Sequence, residues 1–442
     1  MSAWERLAAL GHPVLLEGVA DHDDLGRWSY LSADPVARVM VTAAAWPMIA
    51  DRIRSTWHAE PDPALPPFVG GWIGWLGYEL GAAFDHQPGS PRDPFSQDDG
   101  TLALHDWVIA WDHLRGRSWL VSTGIDHAGH AMTERAHARA DLVMSRLGGS
   151  ADGHDPPVDG SAPVNRVPIA RSHTPEAYRR AVTAIIEAVR SGELFQANLS
   201  QRWVVKFPDT SLALYRRLRA AAPASHAALL PGEGRSIVSA SPESFLRYDA
   251  ATRQIASRPI KGTRPRDADP ACDAALADAL VRSDKDRAEN VMIVDLMRND
   301  LLRVADPASV EVPRLCTLDT HATVHHLSST ITGTLRADRD ALDLLAACFP
   351  AGSITGAPKL RAMGLLAEQE PVARGAYCGA VGWIGLDGSL GLSVAIRTLV
   401  HAGSQVAVHA GGGVTLQSDP EAEYQESLDK ARALLGVLGV ET

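Results

Sequence analysis

At 442 residues, 45% of them hydrophobic and 21% charged, the chain is long enough for two or three ordinary domains or one large unit with a substantial core. The formal net charge of −11 argues against a nucleic-acid partner, because a phosphate backbone is held by clustered cations. Cys272, Cys316, Cys348 and Cys378 form no C-x-x-C pair and have irregular gaps, so neither a zinc site nor a disulfide framework is supported, and buried free thiols are expected.

Glu5 and Arg6 interrupt the N-terminus before any apolar core, so no signal peptide is expected. The uncharged runs 39–50 and 66–78 are too short, and the second too glycine-rich, for a membrane span, and a cytoplasmic protein with no membrane partner is the expectation. In 69–79 (VGGWIGWLGYE) glycines alternate with large rings, which predicts buried strands in close backbone contact. Residues 148–173 are rich in Gly, Pro, Ser and Asp and read as a linker between an N-terminal region, 1–147, and a catalytic region, 174–442, that packs with it as one unit.

Thr174 and Pro175 then start a helix with apolar residues at Val182, Ile185, Ile186 and Val189 before Gly192. Strand-like runs follow at 201–207, 236–240, 244–248 and 254–258, a helix at 284–304, strands at 329–335, 379–386 and 406–410, and a closing helix at 420–438. Without a regular βαβ alternation or an internal repeat, this order predicts an α+β fold: a large layered β-sheet core with helices packed outside.

Several segments carry candidate chemistry. Pro259-Ile260-Lys261-Gly262-Thr263 sets one lysine among uncharged neighbours, where an amine tends to lose its proton and become a nucleophile. Asp286 and Glu289 share one helical face, as do Glu423 and Glu426, and facing pairs of this kind suit Mg2+, which prefers few carboxylates plus waters. Gly411, Gly412 and Gly413 after a strand leave backbone amides free for an anion, and Arg397 could clamp a carboxylate. The run 352–359 (GSITGAPK) offers an anion loop at the start of a helix but lacks the Gly-Lys-Ser/Thr of an ATP loop. His325 and His326 open a strand-like run with one imidazole on each face, at least one of them expected to be a satisfied structural group.

In order along the chain, 193–202 (ELFQANLSQR), 241–245 (SPESF), 258–264 (RPIKGTR), 286–300 (DRAENVMIVDLMRND), 325–329, 352–361, 396–399, 410–414 and 421–431 (EAEYQESLDKA) resemble the chorismate-utilising enzymes. These are the large components of anthranilate and aminodeoxychorismate synthases together with isochorismate and salicylate synthases. The resemblance implies that Glu289 and Glu426 bind Mg2+ directly and Asp286 and Glu423 through water. It implies that Arg397, Tyr377, the amides of Gly411 to Gly413 and Lys430 hold the chorismate carboxylates, with His326 and Ser353 beside the ring and Glu243 as the acid for the C4 hydroxyl. Gln196 stands where the water-using branches carry a basic lysine, and Lys261 stands where anthranilate synthases carry alanine. The chain thus looks like the aminodeoxychorismate synthase branch, on the route to p-aminobenzoate and folate, with Lys261 attacking C2 before ammonia enters at C4. Cys378 lacks the surroundings of a glutaminase nucleophile, so ammonia is expected from a separate glutaminase subunit in a heterodimer. Leu15-Leu16-Glu17-Gly18 departs from the family's tryptophan-pocket pattern by lacking its serine.

Overall fold

The computed structural model describes residues 2–19, 26–85, 90–148 and 168–440, and two large antiparallel sheets dominate it. The first runs from Gly356–Ala357 through Gln196–Lys206, Gln405–Val414, Thr398–Ala402, Arg235–Ser241, His226–Pro231, Val14–Glu17, Trp28–Ser32 and Trp107–Asp112 to Arg117–Ser122. The second runs from Ile260–Pro265 through Val324–Thr334, Gln254–Arg258, Ser244–Asp249, Leu390–Val394, Ala380–Gly385, Gly71–Leu76 and Gly100–His105 to Ala37–Val41.

Strand alternation explains the layering. Successive side chains leave opposite faces of a strand, and here successive apolar residues enter different cores. Val14, Tyr30, Val108, Val204, Ile237 and Val400 pack between the sheets with Ile73, Trp75, Val381 and Trp383. Their neighbours Leu15, Leu31, Ile109, Val205, Val238 and Leu399 pack outward with Leu214, Leu218, Leu434 and Leu435 from the helices Ser211–Ala221 and Pro420–Val437. On the far side, Ile293, Val294 and Met297 of the helix Asp284–Leu302 pack against Phe245, Leu246 and Ile331 of the second sheet. The architecture is therefore α+β, with helices covering the outer faces of a two-sheet core.

Strands from either side of 148–173 interleave. Val14–Glu17 pairs with His226–Pro231, and Gly71–Leu76 pairs with Ala380–Gly385. The close backbone approach predicted for 69–79 is seen at Gly74, where a Cβ would stand 1.9 Å from the Thr101 carbonyl oxygen. Of the predicted linker, 149–167 lies outside the described residues, whereas Ala170–Arg171 forms a short strand against Trp203 and Val204, so that end of the run is not free linker. All four cysteines are free, but Cys272 is exposed on the helix Pro270–Val281 and corrects the expectation of uniformly buried thiols.

Candidate active site

The strand Ile260–Pro265 pairs with Val324–Thr334, and its register shifts between Ile260 and Thr263. Such an irregularity bends a strand and re-aims a side chain. Gly262 sits in this bend at φ +88, and a Cβ there would meet Leu280 and Asp286 at 2.9 and 3.0 Å, so the bend depends on glycine. The neighbouring Lys261 is half-buried by surface area but surrounded by protein, and burial lowers its amine from the ordinary lysine range. Glu289, Glu243 and Glu426 oppose that shift, and the Lys430 ammonium adds to it.

Glu243 is buried, at 3% exposure, just before the strand Ser244–Asp249. Burial pushes its carboxyl up to about 7, against the pull of the Ser353 hydroxyl, the Lys261 charge and the Ile260 backbone. An acid and an amine that would both be charged in water are thus driven toward their neutral forms. Ser353 is buried in the short helix Gly352–Ile354 and reaches Glu243 from another element.

The acids sit on two capped helices. The Ser283 hydroxyl accepts from the Asp286 amide, and the Asp419 carboxylate accepts from the amides of Glu421 and Ala422. Both caps begin a helix just before its acidic face. Glu423 and Glu426 converge over Gly412, where a Cβ would lie 3.1 Å from an oxygen of each carboxylate. Glu423 accepts from the Ser418 hydroxyl at 2.6 Å through Oε1, while its Oε2 is buried without a partner. Burial raises the Glu423 carboxyl, and the Glu426 charge adds to that.

Burial likewise raises Glu289, with Lys261 and Lys285 opposing and Asp286 and Glu426 adding. At Glu426 burial is outweighed by Lys430, Lys285 and Lys261, and the group lies below the usual range. Asp286 is committed to Arg264 at 3.0 Å. Among the described residues no group of three or more His, Cys, Asp or Glu forms a ready metal cage. The oxygen-only donors and the orphaned Glu423 Oε2 nevertheless fit Mg2+, which keeps several waters and needs only one or two carboxylates.

The predicted glycine turn is corrected. Gly411, Gly412 and Gly413 lie inside the strand Gln405–Val414, opposite Ser200, Leu199 and Asn198. Asn198 and Ser200 donate their amides elsewhere, to the Thr355 carbonyl and the Glu370 carboxylate, so strand alternation turns the Gly411 and Gly413 amides away from Gln196–Lys206. On their other side Thr398–Ala402 extends only as far as Val408, and Lys430 donates to the Gly411 carbonyl at 3.0 Å. Free amides therefore arise from a strand that outruns its neighbour. Gln196 lies over the same strand: a Cβ on Gly413 would stand 1.8 Å from its Nε2, and its buried Oε1 has no partner.

Arg397 stands between Leu390–Val394 and Thr398–Ala402 with φ +49, a left-handed backbone that turns it off the strand line. Burial alone lowers its guanidinium, and among the described residues no carboxylate is paired with it. Its charge helps hold His326 neutral, although burial is the larger cause in taking that imidazole down to about 3. His326 Nδ1 lies 2.9 Å from the Thr263 hydroxyl across the paired strands. Tyr377 is buried, with its ring 5.1 Å from that of His409.

Packing also places three further sequence candidates. His325 is the satisfied structural histidine, bonded to Thr320 and to Asp273 at 2.9 and 3.0 Å. Lys359 of the 352–359 run is buried and donates to Asp300 and the Cys348 carbonyl, so that run offers no free cation to an anion. Burial pushes the Cys378 thiol up to about 12, far from a reactive thiolate. Sequence reasoning missed Lys285, which touches the acids through Glu289 at 4.0 Å, and Arg374, which has no nearby acidic motif except Glu370 four residues earlier. Away from the acids, a cavity of about 130 Å³ opens between the sheets beside Leu16, Trp28, His226 and Trp383.

The sequence matches the family described as chorismate binding enzyme over residues 20–436. It is 39% identical to aminodeoxychorismate synthase component 1 of Salmonella typhimurium, over 86% of this chain and 78% of that one. It is 37% identical to anthranilate synthase component 1 of Streptomyces coelicolor, over 95% of this chain and 82% of that one. The structure is similar to anthranilate synthase component I from Streptococcus pneumoniae, with a TM-score of 0.81 and 27% identity over 94% of this chain and 93% of that one.

Proposed function

Because the chain belongs to the chorismate binding enzyme family, we propose that it is the large component of an aminodeoxychorismate synthase, converting chorismate and ammonia to 4-amino-4-deoxychorismate. The observation that carries this reading is the pairing of Lys261 with Glu243, an amine pushed toward neutrality beside a carboxyl pushed up to about 7. The neutral amine attacks C2, both ring double bonds shift along the ring, and the C4–O bond breaks as Glu243 gives its proton to the hydroxyl, which leaves as water. The proton released by the alkylated amine returns to the Glu243 carboxylate. Ammonia then forms the C4–N bond, and the reverse shift expels the Lys261 amine, which takes its proton from Glu243, and the new C4 ammonium returns a proton to that carboxylate.

Arg397, the outward amides of Gly411 and Gly413, Tyr377 and Lys430 are the groups proposed to hold the carboxylates, and the unpaired Arg397 charge is the best support for that. His326 and Ser353 flank the ring in this reading. Glu289 and Glu426 would hold Mg2+ directly, with Asp286 and Glu423 through water, and the ion would neutralise a ring carboxylate and aid departure of the hydroxyl. Gln196 provides no base strong enough to activate water. Ammonia would come from a separate glutaminase subunit, a reading supported by the buried, unreactive Cys378. The alternative, anthranilate formation, draws on relatives of similar identity; Lys261 is what favours amination at C4.

Intact-protein mass spectrometry after mixing with chorismate and Mg2+, without ammonia, should show a chorismate-derived adduct that maps to Lys261 and is lost in EDTA. Absence of the adduct, together with unchanged product from Lys261→Ala, would remove the lysine from the reaction.

A further inference from the structure

One buried guanidinium joins the elements on which the catalytic groups stand. Arg374 and Glu370 are 3% and 5% exposed and form a two-point ion pair, with Nε to Oε2 at 2.8 Å and Nη2 to Oε1 at 2.7 Å. The remaining donors of Arg374 go to backbone carbonyls: Nη1 to Ile354 at 3.0 Å and Nη2 to Asn198 at 2.5 Å. Ile354 follows Ser353, and Asn198 lies two residues from Gln196. Glu370 Oε1 also accepts from the Ser200 amide and hydroxyl at 2.8 and 3.0 Å, on the same strand. The Arg374 guanidinium stands 4.5 Å from the Tyr78 ring and 6.0 Å from that of Tyr377. The amides of Arg374 and Gly375 are held in turn by the Glu79 carboxylate at 2.7 and 3.0 Å.

We propose that Arg374, gripped by Glu370, is a positioning residue that sets Ser353, and through it Glu243, at a fixed distance from Gln196 and Tyr377. The argument is geometric. A guanidinium has donors in a rigid planar fork, and here that fork spans a carboxylate and two carbonyls on different elements. An ammonium at the same place can satisfy the carboxylate but cannot span both carbonyls. Ile354 directly follows Ser353, the hydroxyl that pulls the Glu243 carboxyl down, so releasing Ile354 loosens that neighbour of Glu243. The other groups facing Glu243 are the Lys261 amine, the Ile260 backbone and the Cys378 thiol. Of these only the Cys378 thiol also feels the Arg374 charge, so loss of the clamp should reach Glu243 through Ser353 and, less directly, through Cys378.

The test compares Arg374→Lys, Arg374→Gln and Glu370→Gln with the unaltered chain in ammonium-driven chorismate consumption across pH. Because the Ser353 hydroxyl lowers the Glu243 carboxyl, displacing it should move the Glu243 limb of the kcat profile to higher pH. kcat itself should fall about tenfold or more, since small misplacements of reacting groups are costly. Chorismate binding, read by tryptophan fluorescence, should change less than kcat. A variant with the unaltered kcat and profile would overturn the proposal, as would a fall in kcat with the limb unmoved. Failure of all three variants to fold would make the pair structural only, and would equally overturn it. The proposal rests on Glu243 as the acid, and that premise fails separately if the unaltered chain has no such limb or if Glu243→Gln retains it.

Discussion

Glu243 and Lys261 show how environment assigns roles to two ordinary side chains. In water the carboxyl would be ionised and the amine protonated at neutral pH. Here burial is the largest influence on both and acts in opposite directions on the two groups, raising the acid to about 7 and lowering the amine. The proposed reaction needs the acid protonated and the amine neutral. Turnover should therefore fall as pH rises through about 7, as Glu243 ionises, while the lowered Lys261 amine stays neutral over a wider pH range than a lysine in water. Glu243→Gln should lower kcat about 100-fold or more and abolish the high-pH limb, measured as chorismate consumption with ammonium against pH. A variant that keeps both the rate and the limb would exclude Glu243 as the acid. The identity of both residues was legible in their segments. Their protonation was not, because it depends on Ser353, Glu289 and Lys430, which arrive from other elements.

Helices and strands set the site through their ends. The helix Pro175–Arg190 begins where Thr174 accepts from the Ala177 amide at 3.2 Å, as its sequence predicted. It buries Tyr178, Val182, Ile185 and Ile186 against Leu199, Val414 and Tyr424, the last beside Glu423 in the acidic helix. Thr174→Ala should cost about 1 kcal/mol of stability, read as a lower urea midpoint with unchanged slope. A midpoint equal to that of the unaltered chain would show the cap to be dispensable. The closing helix was read nearly to its ends, 420–438 against Pro420–Val437, because caps and periodicity are local signals. The sequence predicts a strand only over 406–410, whereas the strand carrying Gly411 to Gly413 runs Gln405–Val414. Glycine is a poor strand former by local rules, and only pairing with Gln196–Lys206 keeps it extended.

At the scale of the molecule, the regions before and after 148–173 share their sheets. Val14–Glu17 and Trp28–Ser32 continue the first sheet, and Gly71–Leu76 pairs directly with Ala380–Gly385 in the second. Separate fragments 1–147 and 174–442 would each expose unpaired strand edges and half of the core between the sheets. Expressed alone, neither fragment should show cooperative thermal unfolding by calorimetry, whereas the whole chain should. A cooperative transition in fragment 174–442 would show that the catalytic region stands by itself.

The amino-acid order alone marked the candidate segments for chemistry and gave the α+β class and most element types, because caps, periodicity and short motifs act over a few neighbouring residues. It also suggested the i,i+3 acidic faces, since helix geometry fixes those spacings. Tertiary structure alone decided the rest. Non-local pairing placed the glycines in a strand and turned two of their amides outward, folding committed Asp286 to Arg264 and Lys359 to Asp300, and burial shifted the acid and the amine toward each other's ordinary range. Each of those outcomes depends on which distant groups share a small, poorly hydrated volume, and that is a property of the packed chain.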